Sequence, residues 1–243
     1  MKITLIEVGR VPDALQDRFS PYRDMFGRMF ASSGRDFELD VIDVLGGQAL
    51  PDPAGLEAIA ITGSSAGVYE DHAWLPPLRS FIRDAYAAAT PMVGICFGHQ
   101  VMADALGGDV RKSEKGWGLG RHTYDVVSRP AFLADIPASV NVVCSHQDQV
   151  ITPPAEADVI LASEFTPNAG LYYRNGAALS FQPHPEFLDD YGSALIELRK
   201  GRAGDDVLET ARQTMSKPSD SDLLVKSIAA FFLDGDRGPG SGR

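Results

Sequence analysis

Over the first half of the chain, short runs dense in apolar residues alternate with longer stretches of helical spacing, and this alternation narrows the possible folds most. The runs are residues 2–8, 37–44, 56–61 and 91–95; the helical stretches are 21–33 and 74–89. Strands apolar on both faces belong in a sheet covered on both sides, and strands separated by helices pair in parallel. Ser20-Pro21 offers an N-cap and first turn for the first helix. The run at 91–95 leads into a third helix, expected to reach Ala105 and stop at Leu106-Gly107-Gly108, where glycine accepts the left-handed conformation.

Beyond that stop the signal changes. Residues 122–128, 140–145, 158–163, 170–174 and 177–182 read as successive strands, the last two separated by Asn175-Gly176, a hairpin turn pair. Helical patterning returns at 193–199 and 223–232. The expectation is an α/β fold: a mostly parallel central sheet with helices on both faces, plus a smaller antiparallel extension. Residues 1–234 form one domain in this reading, and the glycine-rich 235–243 segment is a frayed tail.

The 243 residues carry 22 basic and 33 acidic side chains, a formal charge of −11. That balance works against attraction to nucleic acid or anionic lipid and favours a small-molecule or peptide ligand. No stretch is apolar enough to span a membrane, and Glu7 interrupts the first apolar run too early for a secretory leader. A cytoplasmic location follows as an expectation. Two cysteines, Cys96 and Cys144, both in apolar surroundings, suit a catalytic or buried thiol better than a bridge.

Gly94-Ile95-Cys96-Phe97-Gly98 lies where a buried strand turns into a helix, the G-x-nucleophile-x-G form of a tight elbow. Small flanking residues let the backbone bend there. A free thiol, with a pKa of about 8.5, is mostly protonated at neutral pH, whereas a helix N-terminus favours the reactive thiolate. The N–H of Phe97 is placed to stabilise a developing oxyanion. Taken alone, Cys96 also fits a buried small hydrophobe.

A partner for the thiol is available in Gln182-Pro183-His184-Pro185-Glu186. Residues two apart in an extended segment face the same way, so His184 can reach the thiol while Glu186 orients the imidazole. A rigid turn with an exposed histidine is the plainer alternative. Thr62-Gly63-Ser64-Ser65-Ala66-Gly67, after the third strand, offers N–H groups at the carboxyl edge of the sheet, where open α/β folds bind ligands, or is an ordinary turn.

Three segments together resemble the class I glutamine amidotransferases: Gly94-Ile95-Cys96-Phe97-Gly98-His99-Gln100, His184-Pro185-Glu186, and Ser145-His146-Gln147-Asp148-Gln149-Val150, which is similar to the family's Ser-His-x-Asp-x-Val. The likeness is to the amidotransferase domain of GMP synthase and to stand-alone gamma-glutamyl peptidases. It implies a flavodoxin-like fold in which Cys96 attacks, His184 shuttles the proton and Glu186 orients His184. It further implies that Ser64 and Phe97 supply oxyanion N–H groups, that Gly63 permits the loop's shape, and that Gln100, Ser145 and His146 line the pocket for the glutamyl end. Many members have Gly-Gly-Pro where this chain has Gly63-Ser64-Ser65, which leaves open which N–H completes the oxyanion hole.

The activity implied is hydrolysis of a γ-glutamyl amide through a thioester, with no cofactor and no metal. The leaving group is either ammonia from glutamine, passed to a separate ammonia-using synthetase, or the amine of a γ-glutamyl conjugate. A non-catalytic metabolite-binding module of the same fold is a further alternative. Cys96-x-x-His99 and Cys144-x-His146 do not match usual structural zinc spacings. Lys115-Gly116-Trp117-Gly118-Leu119-Gly120 resembles a segment of the peptidase-like and GMP-synthase-like members but also reads as a glycine-rich hairpin, and it is assigned no chemistry. Cys144 reads as a buried thiol, and His72 and His122 have no identifiable role.

Overall fold

The computed structural model describes residues 1–234; the tail expected to fray lies outside them. Nine strands form one sheet in the order β2-β1-β3-β4-β11-β10-β9-β6-β7. The first five, β2 (Glu38–Asp43), β1 (Lys2–Glu7), β3 (Ala58–Ile61), β4 (Met92–Ile95) and β11 (Ala178–Phe181), are joined by parallel pairings. The other four, β10 (Gly170–Tyr173), β9 (Ala157–Ala162), β6 (Gly118–Val126) and β7 (Ser139–His146), continue the sheet antiparallel.

β3 and β4 are buried along their whole length, as continuous apolar runs require when helices cover both faces. One cover is α2 (Leu75–Ala87) with α3 (Phe97–Ala105), packing Leu78, Phe81 and Ile82 beside Val101 and Met102. The other is α1 (Tyr22–Ser32) with α6 (Ser221–Asp234), where Phe26 and Phe30 meet Ile228 and Phe232; the Phe30 and Phe232 ring centroids are 6.1 Å apart. Each buried aromatic or branched side chain contributes about 1.5–3 kcal/mol relative to exposure.

Because β3, β4 and β11 run in parallel with Ile61 opposite Gly94 and Ile95 opposite Phe181, their carboxyl ends finish together. The chain leaves those three ends at Thr62, Cys96 and Gln182, so three segments distant in sequence converge on one edge.

Several local expectations need correction. Ser20 does not cap α1: Pro21 holds the cap position, its carbonyl receives the N–H groups of Asp24 and Met25, and the Ser20 hydroxyl accepts from Arg28 instead. β6 begins at Gly118, four residues before the expected strand, because Gly118 to Arg121 pair with His146 to Val143 despite two glycines. A short antiparallel ribbon of β5 (Asp109–Lys112) and β8 (Asp148–Thr152) was not anticipated. Neither was α5 (Asp205–Thr214), which follows α4 (Asp189–Leu198). α5 lies so close to β6 that a Cβ on Gly120 would sit 2.5 Å from the Thr214 hydroxyl. Arg121, buried in β6, ties both helices down by pairing with Asp189 and donating to the carbonyl oxygen of Met215 at 2.8 Å. Among the described residues no helix is long and apolar enough to cross a membrane.

Candidate active site

Cys96 stands between β4 and α3 with φ +55° and ψ −102°, a conformation uncommon for a residue bearing a Cβ. Its N–H is held by the carbonyl of Phe181 on β11 (2.8 Å), and its carbonyl accepts the N–H of Gln100 (3.0 Å). The flanking glycines are forced by space. A Cβ on Gly94 would lie 2.5 Å from the Gly98 carbonyl carbon, and one on Gly98 would collide with the carbonyl of Ile61. Phe97 is the first residue of α3, so its N–H has no acceptor within the helix.

His184 and Glu186 meet, though not along a strand as expected. Residues 185 and 186 form a turn, and within it His184 Nδ1 lies 2.7 Å from Glu186 Oε1. The His184 N–H donates to the Val143 carbonyl (2.8 Å), and its ring stacks on Phe187 with centroids 3.9 Å apart and planes 7° from parallel. Tyr22 and Tyr191 close around Phe187. Burial pulls the imidazole's pKa down, but the Glu186 carboxylate and the adjacent Cys96 together outweigh it and push the pKa up to about 10. Gly63 completes the contact: a Cβ there would fall 3.2 Å from His184 Cε1 and 3.7 Å from Cys96 Cβ. A thiol, an imidazole and a carboxylate in line form the base-plus-orienter arrangement that nucleophilic catalysis uses.

Cys96 opens into a cleft of about 230 Å³ that also receives Ser64, Gln100, Ser145 and His146. Gln100 is fixed by donating to the Asp148 carbonyl (2.9 Å) and Gln182 Oε1 (3.1 Å). His146 Nδ1 lies 3.1 Å from the Asp148 carbonyl, and burial pushes that imidazole down to about 3, so it stays neutral. Among the described residues Ser145 Oγ and His146 Nε2 are buried without a hydrogen-bond partner. Of the sequence-predicted site residues, Ser64, Cys96, Gln100, Ser145 and His146 line this cleft, while Gly63, His184 and Glu186 lie behind Cys96.

Sequence reasoning missed part of the wall. Tyr69, Glu70, Lys112, Trp117, Asp148, Arg199 and Arg202 also line the cleft. Trp117, given no chemistry from its motif, lies beneath the Arg199 guanidinium at 4.3 Å. Phe187 was also missed, and only its adjacency to Glu186 could have suggested it. His99 turns away, with Nδ1 2.8 Å from Ser180 Oγ, and burial holds it down at about 3. Cys144 is a free buried thiol pushed up to about 12 by burial. Among the described residues no three His, Cys, Asp or Glu side chains converge as a metal site would need.

Residues 53–197, more than half of the chain, match the family model for glutamine amidotransferase class I. The chain belongs to the class I glutamine amidotransferases. A glutamine amidotransferase-like protein of Schizosaccharomyces pombe is 30% identical to this chain over 188 residues, covering 75% of each. Gamma-glutamyl peptidase 4 of Arabidopsis thaliana is 28% identical over 225 residues, 88% of each. The crystal structure of a glutamine amidotransferase from Thermotoga maritima shares the fold, with a TM-score of 0.73 at 23% identity over 96% of this chain and 98% of that one. The family match encloses Cys96, His184 and Glu186 and ends two residues before Arg199.

Proposed function

We propose that this protein hydrolyses a γ-glutamyl amide bond through a Cys96 thioester. The observation that carries the reading is the meeting of Cys96, which opens into the cleft, with His184, whose imidazole lies 2.7 Å from Glu186. The Cys96 sulfur, having given its proton to His184, attacks the γ-carbonyl carbon. The oxygen, now negative, is met by the N–H groups of Phe97 and Ser64. Collapse breaks the C–N bond, and His184 protonates the departing amine. Water then attacks the thioester, giving its proton to His184, and glutamate leaves as the thiol is restored. Gln100, Ser145 and His146 hold the glutamyl end; the unpaired Ser145 hydroxyl and His146 Nε2 are free for that role.

Of the two leaving groups, an amino acid or peptide is favoured over ammonia. Support comes from the near end-to-end likeness to a gamma-glutamyl peptidase, 88% of each chain, and from a cleft wall equipped for more than ammonia.

Purified protein is incubated with γ-glutamyl peptides and, separately, with glutamine, and released glutamate is measured. The expected outcome is peptide cleavage without a partner, reduced at least about 10³-fold in Cys96→Ser. Silence on peptides, with Cys96 still labelled by a glutamine-analogue electrophile, would indicate a glutaminase that needs an ammonia-using partner. No labelling would sink the enzymatic reading.

A further inference from the structure

Among the described residues no carboxylate lies within ion-pair distance of Arg199 or Arg202, although the chain has 33 acidic side chains against 22 basic. Other arginines without a carboxylate partner bond elsewhere, Arg28 to the Ser20 hydroxyl and Arg129 to the Ile136 carbonyl. Both line the cleft that holds Cys96. Arg199 Nε is buried with no acceptor, and its guanidinium rests on Trp117 at 4.3 Å.

The pair is also held in place. Arg199 is the residue that ends α4, and its carbonyl receives the N–H groups of Arg202 (2.9 Å) and Ala203 (3.0 Å), drawing the two arginines onto one turn. Arg121 anchors the other end of α4 through Asp189. A planar guanidinium already seated on an aromatic ring, with its buried Nε lacking an acceptor, suits a carboxylate.

Depth within the cleft indicates which carboxylate. Gln100 and His146 are buried at its base beside Cys96, while Arg199 is partly exposed and Arg202 exposed. A glutamyl end held at the base directs its γ-amide past Cys96 toward the mouth, where the amine must depart. We infer that Arg199, seated on Trp117 and assisted by Arg202, binds the carboxylate of the leaving amino acid or peptide and so selects γ-glutamyl peptides over glutamine. This inference rests on the γ-glutamyl hydrolase reading above. Glutamine carries a single carboxylate, on its glutamyl end, and leaves this subsite unfilled.

The test compares γ-glutamylcysteinylglycine with the same peptide amidated at its C-terminus. For the unmodified protein the free acid is expected to show a KM about 10- to 100-fold lower than the amide, the range of a charge-assisted hydrogen bond, with similar kcat. Arg199→Gln should shrink that ratio to about twofold or less, and Arg199→Lys should restore part of it. Equal KM values for the two peptides in the unmodified protein would overturn the inference. Should the unmodified protein cleave neither peptide, the hydrolase reading is at fault, and calorimetric titration of Cys96→Ser with the two peptides decides the subsite separately. Tighter binding of the free acid, weakened by Arg199→Gln, keeps the inference; indistinguishable affinities reject it.

Discussion

At the scale of single residues, His184 is governed by opposed forces. Burial favours the neutral ring and acts first, yet Glu186 at 2.7 Å and Cys96 more than reverse it, raising the pKa to about 10. Glu186→Gln keeps the shape and removes the larger of those charges, so the imidazole pKa is expected to fall. The expected results are a kcat decrease of about 10²- to 10⁴-fold on the γ-glutamyl substrate and slower alkylation of Cys96 at pH 7, both measured against the unmodified protein. An unchanged alkylation rate across pH 6–9 would show that Glu186 only fills space. Phe187 belongs to the same unit, because its ring lies flat on the imidazole and is backed by Tyr22 and Tyr191, limiting the positions His184 can adopt.

At the scale of elements, the site depends on how closely β4 and α3 approach β3. Gly98 is the point of contact, where a Cβ would run into the Ile61 carbonyl and lie 3.1 Å from its carbon, with little backbone freedom to yield. Gly98→Ala is therefore expected to lower stability by about 1–3 kcal/mol, read as a lower midpoint in urea, and to displace Cys96 enough to reduce activity more than stability. An unshifted midpoint would mean that α3 can move outward freely. The elbow and the parallel strands were legible because buried parallel strands are continuous apolar runs and because a glycine on either side of a cysteine is conspicuous. α5 was not, since its apolar stripe is only Val207, Leu208 and Ala211 in ten residues otherwise mostly charged or polar, too short to stand out. The pairing of His184 with Glu186 was anticipated for the wrong geometric reason, a two-residue strand repeat where a turn does the work. Arg199 and Arg202 were invisible for a simpler cause: an arginine at a helix end looks the same in sequence whether it faces solvent or a ligand, and only the position of Trp117 beneath it distinguishes the two.

For the whole molecule, the histidines set how stability varies with pH. An unfolded histidine titrates near 6.5. His99 and His146 are held by burial at about 3, so between pH 6.5 and 3 the unfolded chain takes up protons that the folded one refuses, and stability falls as pH falls. Burial lowers His122 as well, adding in the same direction. His184 has the opposite sign: raised to about 10, it keeps its proton in the folded state while the unfolded chain releases it, so its contribution is complete below pH 6.5 and is lost as pH rises toward 10. Most carboxylates titrate below about pH 4.5, which leaves the interval from 4.5 to 6.5 largely to the histidines. The melting temperature is therefore expected to peak near pH 6.5 and to fall more steeply on the acid side, where several groups act together, each approaching about 1.4 kcal/mol per pH unit. Scanning calorimetry from pH 4.5 to 9 checks this, and His99→Gln, which removes one of the acid-side groups, should make that limb shallower and leave the alkaline limb in place. A flat melting temperature between pH 5 and 8 would mean that the buried imidazoles gain and lose protons within the folded protein at no cost, and the electrostatic account of His184 would fall with it.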